Sequence, residues 1–372
     1  MESMVICHPE LKHSRPEAVY DDLLLNDRKY LVGLLDVPTR KFLTEEIHEE
    51  CVLVKKLAFS CNYRDIGTMH HMYESCINQS NVSSRFIAPF GSEFCAEIIE
   101  VGDQVADLVP GDRIIPDGTY PVRESNLIGG LPTNYASQRY EILHEKQVMK
   151  IPPIMDAVKA AAFTIGGQTI YSMLRKLGIQ PGGKVLVLSA TSNTSLTALR
   201  ALQNYDVEVY AMTTKPNTSE VLLQQGADVV LESLLVPENK TRDFLKKEKL
   251  AFNYIIDPFF DLHLPSLLPY IDFNGIYVTC GYYRQHESFP VMEHNSNLPY
   301  QSVIRTLLLK NITVIGNCLG NKQDLEHALD DYRRGKFDIR IDSVYSGDQI
   351  GAFLFRTFND QDRLGKVVYR YE

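Results

Sequence analysis

Between Leu188 and Leu196 the chain carries Ser189-Ala-Thr-Ser-Asn-Thr-Ser195, small residues whose hydroxyls and backbone N–H groups could hold a phosphate. The flanks say what would position them. Lys184-Val-Leu-Val-Leu188 is a short continuous apolar run of the kind buried on both faces of a sheet. Leu196-Thr-Ala-Leu-Arg-Ala-Leu202 repeats apolar residues at helical spacing, and Val207-Glu-Val-Tyr-Ala-Met212 reads as the next strand. Strand, turn, helix and strand in this order form the first half of a dinucleotide-binding fold, in which a pyrophosphate rests on a helix N-terminus. The turn has no glycine. Serine adds little volume, leaves the backbone N–H groups in place and supplies extra donors. Asn193 tolerates left-handed backbone better than most residues. Cofactor contact with altered geometry is therefore expected at Ser189, Ala190, Thr191, Ser192, Asn193 and Thr194.

The end of the second strand bears on which dinucleotide fits. NAD-selective folds place a carboxylate there for the ribose 2′-OH. This chain reads Met212-Thr-Thr-Lys-Pro216, with no carboxylate until Glu220. Thr213, Thr214 and Lys215 suit a 2′-phosphate, so NADPH is expected over NADH, although a lysine at a strand end also serves as a solvated charge. A hydrolase has no G-x-S-x-G elbow to rest on. The seven cysteines are scattered and never form C-x-x-C, which favours reduced, packed thiols over a disulfide framework or structural zinc. His70-His71 with Cys76 is the remaining metal candidate; a solvated pair on a loop or helix end is the plainer reading, since no fourth ligand is in range.

The elements around these residues set the architecture. At 372 residues the chain has room for two domains. Its net charge of −9 argues against nucleic acid or an anionic membrane surface as partner. No apolar run approaches the roughly 20 residues of a membrane span. Met1-Glu-Ser-Met-Val-Ile-Cys-His-Pro9 lacks the basic start and apolar core of a signal peptide, and a cytoplasmic location is the default expectation. Residues 1–28 are mixed in character and receive no fold. From Lys29 to about Pro153, strands such as Cys51–Phe59 and Ala96–Val101 alternate with Gly- and Pro-containing turns, as in a compact β-barrel domain. From Asp156 helix and strand alternate, implying a parallel sheet with crossover helices. Further strands are read at Gly226–Leu231, Phe252–Asp257, Gly275–Gly281, Ile312–Gly316 and Lys366–Tyr369, with a helical stretch from Asp324 to Arg334 before the last of them.

In sequence order the landmarks are Asn62-Tyr-Arg-Asp65, Gly91-Ser-Glu93, Glu100-Val-Gly102, Pro110-Gly-Asp-Arg113, the helix around Ala160–Leu174, the strand–turn–helix at 184–202, Gly226-Ala-Asp228 and Gly365-Lys-Val-Val368. With these the chain resembles the medium-chain dehydrogenase/reductase superfamily over about residues 30–372, specifically its zinc-free quinone-oxidoreductase-like and enoyl-reductase-like branch. The resemblance implies an α/β protein: a GroES-like β-barrel substrate domain at 29–155 and 321–372, interrupted by a Rossmann doubly wound parallel-sheet domain at 156–320. It implies substrate in a cleft between them and a homodimer joined at the terminal Rossmann strand, Ile312–Gly316. That edge could instead be covered by the chain's own Asn295–Tyr300 segment. Zinc-dependent members have ligands where this chain has Asn62, Ser92 and Ile165, and the loop that carries four cysteines in many of them has no counterpart in Asp117–Asn134. No zinc is therefore expected.

Without zinc, the superfamily's usual chemistry is hydride transfer from a nicotinamide to a C=C bond conjugated to a carbonyl, or to a quinone. The resemblance puts Asn62, Tyr63 and Asp65 beside the reacting carbonyl. Tyr63 is the candidate donor, since a phenol polarises a carbonyl and relays a proton; a rim or core tyrosine is the alternative. Asp65 reads as structural, bonded to its own turn. Thr169, Asp257, Thr279, Cys280 and Gly281 fall at the nicotinamide end, although Asp257 could equally terminate its strand before Pro258. The substrate could be a small enal, enone or quinone, an enoyl thioester, or a dehydroamino acid in a ribosomal peptide. The rival from another class is a non-catalytic scaffold or interaction protein that keeps both domains and has a degenerate cofactor loop.

Overall fold

The computed structural model describes residues 2–37, 47–77, 87–119, 131–237, 240–283 and 300–372. The chain divides into two units, Met1–Ile165 with Ile341–Glu372, and Gly166–Arg340. Strands β1 (Glu2–Cys7), β2 (Val19–Leu25), β3 (Arg28–Asp36), β4 (Cys51–Ser60), β5 (Ile87–Pro89), β6 (Glu93–Val101), β7 (Arg113–Pro116), β8 (Tyr140–His144) and β9 (Val148–Lys150) belong to the first unit. The second unit holds β10 (Gly183–Val187), β11 (Val207–Thr213), β12 (Val229–Glu232), β13 (Phe252–Asp257), β14 (Ile271–Thr279) and β15 (Thr313–Gly316). Strands β16 (Ile341–Ser346) and β17 (Lys366–Arg370) return to the first.

The first unit is mainly antiparallel, with one sheet ordered β2-β3-β1-β5 and another ordered β16-β17-β4-β6-β7-β9, to which β8 adds by pairing with β4. Its long centre is β4, an apolar strand interrupted by the adjacent Lys55 and Lys56. Lys56 is fully buried within it and is stabilised by Glu141 Oε2 at 2.5 Å, Tyr135 O at 2.6 Å and the face of Phe94. Gly102, in the Glu100-Val-Gly landmark, is required by packing: a Cβ there would lie 2.3 Å from His48 O. Residues 1–28, which received no fold from sequence, supply β1, the short helix Leu11–Ser14 and β2. Met4, Val5, Ile6 and Cys7 of β1 are wholly buried.

The second unit is a six-stranded sheet ordered β12-β11-β10-β13-β14-β15 with every pairing parallel. Strand β10 is central, and the winding reverses beside it: β11 and β12 lie on one side, β13 to β15 on the other. The helix Asn193–Leu202 is almost wholly buried by Leu196, Ala198, Leu199, Ala201 and Leu202. Gly226 holds φ at +116°, and a Cβ there would lie 2.7 Å from Leu199 O, so the Gly226-Ala-Asp228 landmark lets the next strand approach this helix. The helix Lys322–Arg333, expected to leave with the C-terminal segment, stays in this unit. Arg175 clamps Asp324 through two bonds of 2.8 and 2.9 Å, and Tyr171 donates to Asp331 at 2.7 Å. The return to the first unit therefore comes at Ile341 rather than at 321. Among the described residues no helix is long and apolar enough to cross a membrane.

Candidate cofactor and carbonyl sites

Parallel sheets present their ligand crevice outside the carboxyl ends of the strands, where the strand order reverses. The residues nominated from sequence gather at that edge. Ser189 follows β10, Thr213 ends β11, Asp257 ends β13, Thr279 ends β14, and Asp257 and Thr279 are register partners. Ser189 carries the left-handed backbone, with φ +45°. Asn193, the residue best suited to that conformation, is instead the first residue of the helix. The reason is the hydrogen-bond plan: Ala190 N donates to Met212 O at 2.9 Å and Ser192 N to Ser189 O at 2.8 Å, which forces the reversal two residues after the strand. Ser192 caps the helix, its Oγ accepting from Ser195 N at 3.2 Å. The buried Ser195 hydroxyl donates to Leu188 O at 2.6 Å, so a serine is tolerated where the helix closes on the strand. Ala190 is buried, while Ser189, Thr191, Ser192, Asn193 and Thr194 are half-buried at the turn.

At the end of β11, Thr213 is buried and its Oγ1 accepts from Lys215 N at 3.0 Å; it shapes the turn that carries exposed Thr214 and half-buried Lys215. Across the sheet, Asp257 is fully buried and heavily bonded. Its Oδ1 accepts from Phe259 N at 2.7 Å and lies 2.8 Å from His263 Nδ1, while Tyr277 OH donates to its Oδ2. His263 Nε2 lies 3.4 Å from Ser189 Oγ. Asp257 thus terminates its strand and also anchors a relay, Asp257–His263–Ser189, that reaches the phosphate turn. His263 was not among the sequence candidates. Its signal is the spacing from Asp257, which needs the strand–helix boundary before it can be read. Burial, with Asp257 adding, pushes the Cys280 thiol up to about 12, so it stays neutral. Thr279 Oγ1 donates to Gly281 O at 3.1 Å, Gly281 O also accepts from Phe260 N, and Thr169 is buried in the helix Thr164–Leu177.

In the first unit a second polar cluster surrounds Asn62. Its Nδ2 donates to Ser92 Oγ at 3.2 Å and Glu93 Oε1 at 3.1 Å, and its Oδ1 accepts from Lys366 Nζ at 2.6 Å. Lys366 also pairs with Glu93, which accepts from Ser60 Oγ at 2.8 Å and Ile165 N at 2.9 Å. Asp65 Oδ2 accepts from Asn62 N and Ser92 Oγ at 2.8 and 2.9 Å, confirming its turn-holding role. Burial raises the Asp65 carboxyl above its ordinary value despite these donors and Arg64. The Asn62 amide is committed inside the protein. Tyr63, half-buried, follows it in the turn before the helix Asp65–Ile77. On that helix His71 is exposed, but His70 is buried against the Tyr30 hydroxyl; it is not one of a solvated pair. The Cys76 side chain lies outside the described residues, as do residues 120–130 of the Asp117–Asn134 loop.

The alcohol dehydrogenase GroES-like domain family matches residues 48–153. An acryloyl-coenzyme A reductase of Metallosphaera sedula is 24% identical over 334 residues, covering 85% of this chain and 91% of that protein. Quinone oxidoreductase-like protein 2 of Mus musculus is 27% identical over 244 residues, 64% of this chain and 61% of its own. Among solved structures, an NAD-dependent alcohol dehydrogenase superposes with a TM-score of 0.73 at 17% identity, covering 95% of this chain and 99% of its own. Residues 48–153 belong to the alcohol dehydrogenase GroES-like domain family, and the chain as a whole is similar to the medium-chain dehydrogenase/reductase superfamily. Its two units are that superfamily's GroES-like domain and parallel-sheet Rossmann domain, as the landmarks implied.

Zinc-dependent medium-chain dehydrogenases would place metal ligands at Asn62, Ser92 and Ile165. An amide, a hydroxyl and a hydrocarbon do not make a zinc site, which takes thiolate, imidazole or carboxylate donors. The Lys366 ammonium, hydrogen-bonded to Asn62 Oδ1 and paired with Glu93, adds a fixed positive charge to the same cluster. The residues do not fit the metal. They do fit the dinucleotide: the Ser189 turn, the helix behind it and the hydroxyls along the strand ends form a donor set suited to phosphate.

Proposed function

We propose that this protein is a zinc-independent, NADPH-dependent reductase that adds hydride to a C=C bond activated by a carbonyl, an enoyl thioester being the first substrate to try. The observation that carries the reading is Lys366, whose ammonium is bonded to Asn62 and Glu93 in the cluster where zinc-dependent relatives would hold their metal. A carbonyl here must be polarised by hydrogen bonds rather than by a Lewis acid. The acryloyl-coenzyme A reductase and quinone oxidoreductase-like relatives support the same chemistry.

The nicotinamide, when bound, supplies the hydride. The chain's own residues bind, orient and handle charge. The Ser189–Thr194 turn receives the diphosphate, and Thr214 and Lys215 receive the 2′-phosphate beside the turn that Thr213 shapes. Tyr63 would donate to the substrate carbonyl oxygen where negative charge develops, and solvent water would supply the proton that the α-carbon takes. Asn62, held on both sides of its amide, fixes the turn that carries Tyr63.

The decisive experiment follows NADPH oxidation by the purified protein with acryloyl- and crotonyl-coenzyme A, a small enone, an enal and a quinone, with and without a zinc chelator, and with NADH in parallel. Turnover of at least one acceptor, faster with NADPH and unchanged by chelation, is expected. Loss of activity on chelation with recovery on adding zinc would reject the metal-free mechanism. NADPH that neither binds nor is oxidised would instead favour a scaffold protein with a degenerate loop.

A further inference from the structure

The Asp257–His263–Ser189 relay joins a buried carboxylate to the turn on which the proposed function seats a phosphate. The imidazole has one allowed neutral form. His263 Nδ1 faces two acceptors, Asp257 Oδ1 at 2.8 Å and Phe259 O at 3.1 Å, so Nδ1 carries the hydrogen. In the neutral ring Nε2 is therefore a lone pair, and it can only accept from Ser189 Oγ at 3.4 Å. Ser, His and Asp in this order have the parts of an acyl-transfer triad, and the positive φ of Ser189 resembles a strained nucleophile turn. The donor that such a turn needs is missing. The N–H of the following residue, Ala190, is spent on Met212 O at 2.9 Å, so an oxyanion at Ser189 would find no support from it.

The same geometry is suited to an anion that stays intact. With neutral His263, the Ser189 proton is directed at Nε2 and the serine turns lone pairs toward the phosphate, which is repulsive. With His263 protonated at both nitrogens, Nε2–H donates to Ser189 Oγ and releases the serine proton to the anion. We propose that His263 is a cofactor-positioning residue that takes up a proton as a phosphate of the dinucleotide seats at Ser189, so that binding and proton uptake are coupled. This rests on the proposed function. It names a residue and a linkage that the superfamily's glycine turns do not contain, since a glycine has no hydroxyl for the imidazole to turn.

The surroundings favour the charged ring once an anion arrives. Among the described residues, Asp257 is the titratable group hydrogen-bonded to His263, with Tyr277 bonded to Asp257 beyond it; Asp261 lies on the same helix, and Cys280 and Tyr283 follow β14. Burial, with Asp257 adding, raises the Tyr277 phenol and the Cys280 thiol, and burial with Asp261 raises Tyr283, so all three stay neutral. The Asp257 carboxylate, 2.8 Å from Nδ1, stabilises an imidazolium.

Calorimetric titration of the protein with NADPH and with NADH, in buffers of different ionisation enthalpy, measures protons taken up per ligand bound. NADH is included because a 2′-phosphate itself titrates near neutrality, with a pKa of about 6 by analogy with other phosphate monoesters. Above neutral pH the wild type should take up a substantial fraction of one proton with either ligand, and its affinity should fall up to about tenfold per pH unit. His263→Gln should still bind, more weakly at neutral pH, with no uptake beyond that of the 2′-phosphate. Ser189→Gly, which suits the positive φ and should fold at least as well, should bind with the same loss of proton linkage. Uptake confined to NADPH, or unchanged uptake in either variant, would overturn the inference while leaving the reductase reading intact. A wild type that binds neither dinucleotide would overturn both.

Discussion

At the scale of single residues, the first unit is organised around charge placed where a metal is absent from the donor set. Lys366 and Glu93 are almost wholly buried, and each has further partners: Asn62 for the lysine, Ser60 and Ile165 N for the carboxylate. A buried pair of this kind contributes little net stability, but removing one partner strands the other charge and costs about 3–5 kcal/mol. Lys366→Met should therefore lower the urea unfolding free energy by that amount, and Lys366→Met with Glu93→Gln should recover much of it. A single variant as stable as the wild type would show that the pair is not buried in solution. Neither residue's role was legible in sequence. Gly365-Lys-Val-Val368 was visible as a landmark, but nothing local says that its lysine meets a glutamate 273 positions away. The serines at the phosphate turn show the same limit. Their small size was readable, whereas the positive φ fell on Ser189 because of bonds to β11 that only the folded sheet supplies.

At the scale of elements, what was legible followed from periodicity. The apolar run ending at Leu188 and the helical repeat after it gave β10 and its helix, because both bury against the same core and carry the pattern in full. The helix Lys322–Arg333 was legible as a helix but not by its partner, since the Arg175–Asp324 clamp crosses 149 positions. The C-terminal helix Ile350–Phe358 is tied down in two ways. Phe353 packs edge-on against Phe59 and Tyr369, with ring centroids 5.4 and 5.6 Å away. Arg356 clamps Asp342 of β16 through bonds of 2.7 and 2.8 Å. Burial alone would raise the Asp342 carboxyl, but Arg356, the Leu364 N–H and the Ser343 hydroxyl outweigh it and hold the value below the ordinary one. A pKa depressed in the folded state means that the unfolded chain takes the proton first. The stabilisation is complete above the unfolded value of about 4 and is lost as pH falls through the folded value. The urea midpoint of the wild type should therefore drop between about pH 5 and about pH 3, and Asp342→Asn should start lower and drop less. An equal drop in the variant would assign the acid sensitivity to other carboxylates, such as Asp324, whose value is also depressed.

At the scale of the whole molecule, the division into a β-rich unit and a parallel α/β unit was legible in the change of texture near Asp156. Its limits were not, because β1 and β2 carry too little pattern to announce a sheet that closes through β3 and β5. The second sheet ends at β15, which pairs with β14 on one side and, among the described residues, with no strand on the other. An apolar edge of this kind invites pairing with another chain unless charge, proline or a covering segment blocks it. Lys310 flanks the edge in sequence, yet its ammonium is turned away, donating to Pro269 O at 2.9 Å and Ile271 O at 2.6 Å. Val314 on the strand is 37% exposed, and Leu308 and Leu309 on the preceding helix are 72% and 65% exposed, more apolar surface than an isolated edge normally leaves open. The alternative cover, Asn295–Tyr300, lies outside the described residues apart from Tyr300, which is 78% exposed. Two copies pairing β15 with β15 about a two-fold axis would bury this surface and satisfy the edge together. Light scattering at micromolar concentration should accordingly give a dimer, and Val314→Lys with Leu309→Lys should shift it to monomer with an unchanged circular dichroism spectrum. A monomeric wild type would mean that the edge is covered within the chain, and a variant that stays dimeric would place the interface elsewhere.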